Sequence, residues 1–500
     1  MSYAATIKIN FCGGIISPGD LYNILVAVDK AGVLQVRFGL RQQLLIDADK
    51  LGAGLIKQEL DRLDLKYEYN SDVYPNVVSS YPAEEVFITN TWLSEGVYKD
   101  IFDLMDYRPR VKINVSDSNQ SFTPLLTGNI NWVASPAAQQ FWHLFIRFPK
   151  TNVVYEWKDM VYTNDVARMS KQIETLIFEN KEKFYDNKLV SGADLYELIQ
   201  AQSYITKPVD TSLKLPSFNL PYYEGLNRYN NKYWLGIYRR DELFAVNFLK
   251  DLCMLCLQTK IGLLCSTPWK SLIVKGIEEK DRQQWNNLLA RHQVNVRHAA
   301  NELNFQVEDN SKEGVALKSY LVKYLSQDDI RTFGVCIGIK TRLKSEVFSS
   351  VLVRKRPLLS IGKWGFFYLY DILIAKDFNP NERTGVVFSK SNLKIWLPEQ
   401  MRRAILEFYE YQSKALKMPE KKRSKKEIAV TEKKNEFVYQ CSDCMSVYDE
   451  LTGEPDNSIA AGTLFGQLPE TYTCSVCEAK KEIFKKVEKS KLGYKPFSSA

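Results

Sequence analysis

Four cysteines stand in two C-x-x-C pairs near the end of the chain, Cys441 with Cys444 and Cys474 with Cys477. Each C-x-x-C places two thiolates on one tight turn. Two such turns facing each other make a tetrahedral sulfur site suited to iron or zinc. Iron there cycles between two oxidation states with little change of geometry. Zinc has no redox chemistry and would serve to staple a small domain together. The spacing alone leaves both metals open. Cys253 and Cys256 form a third C-x-x-C, but they lie in an apolar stretch with helical spacing, where a buried pair of small apolar residues is expected. Cys12, Cys265 and Cys336 are isolated, and His143, His292 and His298 have no ligand spacing to a cysteine or an acid. No phosphate loop or nucleophile triad is present.

A second constellation lies in Gln35-Val36-Arg37-Phe38-Gly39-Leu40-Arg41-Gln42-Gln43. On a strand, residues 37, 39 and 41 share a face. Arg37 and Arg41 would then flank Gly39, two guanidiniums able to grip carboxylates or phosphates in bidentate fashion, with the glycine leaving room for a ligand. The same pattern also fits the solvated polar face of a sheet.

The elements that must carry these residues follow from local pattern. Ser17-Pro18-Gly19-Asp20 supplies cap-type residues, and helical spacing runs from Asp20 to Ala31. Val33 to Ile46 then reads as extended. The same order recurs: a helix from Arg240 to about Thr259, then an extended stretch from Ile261 to Val274 around Thr267-Pro268-Trp269. This is an internal duplication about 220–230 residues apart, within an α+β architecture. Ala415 to Glu436 is lysine-rich with few apolar anchors and reads as a linker that tethers the cysteine-bearing segment.

Composition sets the outer bounds. At 500 residues, with 45% hydrophobic and 25% charged, the chain is long enough for about two to four domains with real cores. The net charge of +8 is partly concentrated in the linker, so nucleic-acid binding is not expected. The longest apolar region, Phe244 to Leu264, is broken by Lys250, Asp251 and Lys260, which disfavours a membrane span. The start of the chain lacks a basic segment followed by an apolar one, so a cytoplasmic location is expected.

The segment around the four cysteines resembles rubredoxin. Val447-Tyr448-Asp449 follows the first pair, Gly453-Glu454-Pro455-Asp456-Asn457 matches the family's GDPD-type turn, and Ala461-Gly462-Thr463-Leu464-Phe465 its PGT-x-F segment. Leu468-Pro469 matches its LP, and Phe484 its core phenylalanine. The resemblance implies a small antiparallel sheet with an aromatic core, one iron held by Cys441, Cys444, Cys474 and Cys477, and one-electron transfer to or from a redox partner protein. The chain departs from the family at four places. Met445 and Glu478 stand where glycine usually follows each C-x-x-C, Tyr472 where tryptophan is usual, and Ser446 where tyrosine is frequent. Non-glycine residues at positive φ cost about 1 kcal/mol.

The upstream region resembles the sirohaem-dependent nitrite and sulfite reductases. Gly13-Gly14-Ile15-Ile16-Ser17-Pro18, the helix after it and Val36-Arg37…Arg41-Gln42 look like the family's ferredoxin-like half-domain. Ser266-Thr267-Pro268-Trp269-Lys270 to Ile277 looks like the duplicated half, and Lys112 to Ser116 with Gly128 to Val133 like the segment that carries a cluster cysteine pair. In that family, arginines at the Arg37 and Arg41 positions contact sirohaem carboxylates. The cluster cysteines are absent here: Ser118 and Phe122 take two of their positions, and Asn76 to Pro82 contains none. In the duplicated half, Cys265 and Trp269 replace the arginines. Serine and phenylalanine do not substitute for thiolates on iron, so a [4Fe–4S] cluster is not expected and sirohaem is doubtful.

The resulting expectation is α+β: a duplicated reductase-like region (1–150 and 151–414), a linker (415–436), a rubredoxin-like iron domain (437–487) and a tail (488–500). Its function would be that of a one-electron carrier serving nitrite or sulfite reduction, with a reductase or a protein that feeds one as partner, rather than a self-sufficient oxidoreductase. The alternatives are a sirohaem-binding reductase and a zinc-stapled assembly protein.

Overall fold

The computed structural model describes residues 5–88, 91–151, 153–200, 203–342, 347–361, 364–382, 385–417, 437–454, 457 and 459–492. The chain forms two compact units, 1–417 and 418–500. Most of the expected linker (418–436), the end of the tail (493–500), and Pro455 and Asp456 of the expected turn lie outside the described residues. Residues 415–417 belong to the helix Leu397–Lys417, and the tail's first residues to the strand Phe484–Glu488 and a 3-10 turn.

The duplication is visible as two five-stranded antiparallel sheets that exchange an edge strand. One runs Phe244–Ala245, Gln35–Phe38, Leu44–Ala48, Ala5–Ile9, Glu68–Tyr69. The other runs Gly225–Tyr229, Lys232–Ile237, Leu272–Ile277, Leu264–Ser266, Ile15–Ile16. Each half therefore lends the two-residue strand that precedes its long helix to the sheet of the other, and strands from both sides of residue 150 share sheets. The equivalent helices Pro18–Lys30 and Val246–Gln258 pack on each other, with Lys250 Nζ 2.8 Å from Asp29. The first is capped as its sequence implies: the Ser17 hydroxyl accepts the Asp20 N–H, and Pro18 occupies the first turn. The second begins at Val246, later than the expected Arg240. Residues 239–242 form a turn, and Phe244–Ala245 pairs with Gln35–Val36, so sheet pairing takes backbone groups that a longer helix would have used.

A third sheet, mixed, is centred on the wholly buried strands Ile130–Ala134 and Phe141–Arg147. Val78–Ser79 and Ile113–Ser116 extend it in parallel pairing, as expected of strands buried on both faces. A fourth sheet runs Phe305–Val307, Ile337–Lys340, Val351–Ile361, Trp364–Ala375, Gly385–Asn392, backed by the helices Lys312–Gln327 and Leu397–Lys417. Among the described residues, no helix is long and apolar enough to cross a membrane.

The second unit is a three-stranded antiparallel sheet, Val447–Tyr448, Phe437–Cys441, Phe484–Glu488. Its core is aromatic. Tyr439 stacks on Phe465 with ring centroids 4.0 Å apart, and Tyr448, Tyr472 and Phe484 close around Phe465. A domain this small gains much of its burial from such large side chains.

Candidate metal centre

The two cysteine loops of the second unit are built alike. In the first, the Met445 N–H donates to the Cys441 carbonyl at 3.0 Å, and the Cys441 N–H donates to the Ser446 carbonyl at 2.9 Å. In the second, the Glu478 N–H donates to Cys474 at 2.9 Å, and the Cys474 N–H donates to Ala479 at 2.8 Å. Closing the loops this way forces positive φ at Met445 (63°) and Glu478 (60°), the two positions where the sequence departs from glycine. Within each pair the first cysteine, Cys441 or Cys474, is buried, whereas Cys444 is half-buried and Cys477 exposed.

The four Sγ atoms lie within 4.8 Å of one another, with Cys441–Cys477 at 3.6 Å and Cys444–Cys474 at 3.5 Å. A metal bound to four thiolates at about 2.3 Å with tetrahedral angles sets its sulfurs about 3.8 Å apart. The two separations at 3.5 and 3.6 Å are close to this value, and the four sulfurs are placed to bind one iron. Among the described residues, no other group of three or more His, Cys, Asp or Glu side chains is placed to hold a metal.

The surroundings favour the thiolate form at Cys474 and Cys444 but not at Cys477, where the Ala479 N–H is outweighed by the crowding of the neighbouring cysteine thiols and the thiol is pushed up to about 12. Burial pushes the Cys474 thiol up, but the Ser446 hydroxyl and the N–H groups of Val476 and Cys477 outweigh it and hold the thiol down to about 6. The Ser446 hydroxyl and N–H lower Cys444 as well. Tyr472, at the usual tryptophan position, is buried and donates its hydroxyl to Glu454 Oε1 at 3.0 Å, and Glu454 also accepts from Ser475. The sequence marked Ser446 as a departure but carried no sign that its hydroxyl reaches the sulfurs, because that contact spans both loops.

Arg37 and Arg41 do not share a face. The strand ends at Phe38, and Arg41 sits in the following turn. Arg37 is paired with Asp47 through Nε (2.9 Å) and Nη2 (2.5 Å). Arg41 donates to the carbonyls of Asn76 and Ile113 at 2.8–3.0 Å and lines a different cavity from Arg37. Gly39 does not leave space for a ligand either, since a Cβ there would meet Gln43 Nε2 at 2.5 Å and Asp309 Oδ2 at 2.8 Å. The cavity beside Arg41, about 930 Å³, nonetheless carries more basic than acidic side chains, with Arg110, Lys112, Arg147, Lys150 and Arg342 on its walls beside Asp72, Glu308 and Asp309. These residues come from segments too far apart in sequence for spacing to reveal.

Of the two residues at positions of the missing cluster cysteines, Ser118 is half-buried and Phe122 is packed against protein, as are Ser79 and Ser80 in the cysteine-free stretch Asn76 to Pro82. Phe122 is fully buried among Phe87, Tyr223 and Trp269, at centroid distances of 4.9, 5.5 and 6.4 Å, and the Trp269 indole donates to the Phe122 carbonyl at 2.8 Å. Ser79 donates its hydroxyl to Gly13, and the Ser80 hydroxyl accepts the Asp117 N–H. A donor set of hydroxyls and a phenyl ring does not fit an iron–sulfur cluster.

Comparison with known proteins agrees with both halves of this description. The rubredoxin family model matches residues 438–484. The same segment is 47% identical over 49 residues to the high molecular weight rubredoxin of Moorella thermoacetica, covering 10% of this chain and 21% of that protein. It is 43% identical over 49 residues to Rubredoxin-2 of Chlorobaculum tepidum, covering 10% of this chain and 94% of that protein. Among solved structures, the NirA protein of Mycobacterium tuberculosis superposes with a TM-score of 0.59 over 81% of each chain at 13% identity. That likeness concerns the fold alone. Through its C-terminal unit, with four cysteines placed to bind one iron, the chain belongs to the rubredoxin family.

Proposed function

We propose that this protein is a one-electron carrier, its iron held by Cys441, Cys444, Cys474 and Cys477, serving nitrite or sulfite reduction in the cytoplasm with a reductase, or a protein that feeds one, as its partner. The observation that carries this reading is the placement of the four sulfurs. Their spacing fits a tetrahedral iron, and Cys444 and Cys477 lie at the surface, where a partner can approach closely enough to exchange an electron. Met445 and Val476 beside them are exposed apolar residues, which lowers the cost of drying the contact. Iron between four thiolates supplies a ferric/ferrous couple with little reorganisation. The NirA-like fold of the first unit supports the link to nitrite or sulfite reduction.

A second reading, a sirohaem-binding reductase, is favoured by the basic cavity beside Arg41, whose charge suits the carboxylates of a tetrapyrrole. The buried Phe122 and the missing thiolates weigh against a cluster-coupled haem.

The test is an anaerobic iron titration of the full chain, with visible spectra before and after dithionite. Red colour from thiolate-to-ferric charge transfer that bleaches on reduction is the expected result. A Soret band after expression alongside sirohaem synthesis would establish the second reading. A colourless protein holding zinc would overturn electron transfer.

A further inference from the structure

The two cysteine loops share one backbone pattern, and at one equivalent position the first carries a hydroxyl that the second lacks. Ser446 and Ala479 occupy equivalent places. The carbonyl of each accepts the N–H of the first cysteine of its own loop, and the N–H of each bonds the sulfur of the second. Ser446 does more. Its Oγ lies 3.1 Å from Cys444 Sγ and 3.0 Å from Cys474 Sγ, the latter in the opposite loop. One half-buried residue thus touches Cys441, Cys444 and Cys474, three of the four ligands, whereas Ala479 has no side-chain donor to offer.

We infer that the Ser446 hydroxyl sets the reduction potential of the iron site, holding it above the value that the backbone donors alone would give. This rests on the electron-carrier reading. Sulfurs bound to a metal carry no protons, so the hydroxyl donates its single proton, shared between the Cys474 and Cys444 sulfurs that accept it. Adding one electron to a four-thiolate iron site raises its negative charge, and part of that charge resides on sulfur. A donor aimed at sulfur therefore stabilises the ferrous form more than the ferric form, and hydrogen bonds to sulfur are among the groups that set such potentials. Ser446 is a positioning and tuning residue. It does not itself exchange the electron.

The experiment measures the potential of the iron-loaded full chain by spectroelectrochemistry, for the native sequence, Ser446→Ala, Ser446→Thr and Ala479→Ser. Ser446→Ala should lose about tenfold in its preference for ferrous over ferric iron, a fall of about 59 mV for one electron. Its thiolate-to-ferric band should move to longer wavelength as the sulfurs become better donors. Ser446→Thr, which keeps the hydroxyl, should stay near the native potential, and Ala479→Ser should raise it. An Ser446→Ala protein that retains iron at the native potential overturns the inference, as does an equal fall in Ser446→Thr. If Ser446→Ala loses iron, Ala479→Ser decides: a raised potential supports the inference and an unchanged one overturns it. A native chain whose iron does not cycle overturns the carrier reading and this inference together. A native chain that bleaches reversibly, with Ser446→Ala unshifted, overturns the inference alone.

Discussion

Gln42 and Ser266, 224 residues apart, exchange two hydrogen bonds between the two halves of the duplication: Gln42 Nε2 donates to the Ser266 carbonyl at 3.0 Å, and the Ser266 hydroxyl donates to the Gln42 carbonyl at 2.7 Å. Both residues are buried, and Gly14 must lack a Cβ because one would meet both Gln42 and the Ser266 carbonyl at 2.7 Å. The amide of Gln42 also bonds the N–H and carbonyl of Ser79, so one side chain joins both halves to the third sheet.

Replacing Gln42 by alanine removes the amide partner of the Ser79 N–H and carbonyl and of the Ser266 carbonyl, while the Ser266 hydroxyl keeps its bond to the residue 42 carbonyl, and each buried group left unpaired costs about 1–3 kcal/mol. Gln42→Ala should lower the stability of the first unit by on the order of 3 kcal/mol in chemical denaturation. A change below about 0.5 kcal/mol, the range of ordinary surface substitutions, would show that the junction is held elsewhere.

Phe122→Ala empties a site bounded by Phe87, Tyr223 and Trp269. The expected loss is about 3–5 kcal/mol, since buried aromatic-to-alanine changes cost both transfer and cavity terms. An unaffected denaturation midpoint would mean that this region is not packed as described.

Glu84 is buried, and its Oε2 has no hydrogen-bond partner among the described residues. Burial first, then the neighbouring Asp117 charge, raises its carboxyl from 4.5 to about 7. A raised pKa means that its contribution to stability is fully present below pH 4.5 and is lost as pH rises through 7. Glu84→Gln should therefore flatten the stability profile over that window, with a gain over the native chain on the order of 2 kcal/mol above pH 7 that shrinks towards pH 4.5. Parallel native and variant profiles would refute the assignment.

Met445→Gly and Glu478→Gly relieve side chains held at φ near +60°. Positive φ costs a non-glycine residue about 1–2 kcal/mol, and glycine returns part of this as chain entropy, so each change should stabilise the iron-loaded unit by about 0.5–1 kcal/mol. Slower iron loss in denaturant is the readout. Faster loss from both variants would show that the side chains contribute contacts that outweigh the strain.

What the sequence determined by itself is the chemistry that local chain geometry specifies. The two C-x-x-C pairs near the end of the chain marked the four sulfur ligands by spacing alone, whereas the aromatic core of the second unit and the strained positions Met445 and Glu478 were legible only through the resemblance to rubredoxin, and the same spacing at Cys253 and Cys256 lies in a helix. The helix from Pro18, whose cap lies within four residues, was legible from local pattern. The same holds for the duplication, because it repeats an order of elements. Tertiary structure decided what depends on groups brought together from afar. Arg37 and Arg41 look paired in one dimension, yet a turn parts them, and Asp47, Asn76 and Ile113 take up their hydrogen bonds. The helix expected from Arg240 lost its first turn to pairing with a strand more than 200 residues earlier. The reach of Ser446 to a sulfur in the opposite loop depends on how the two loops face each other, and hydrogen bonds formed only in that arrangement leave no periodic trace in the chain.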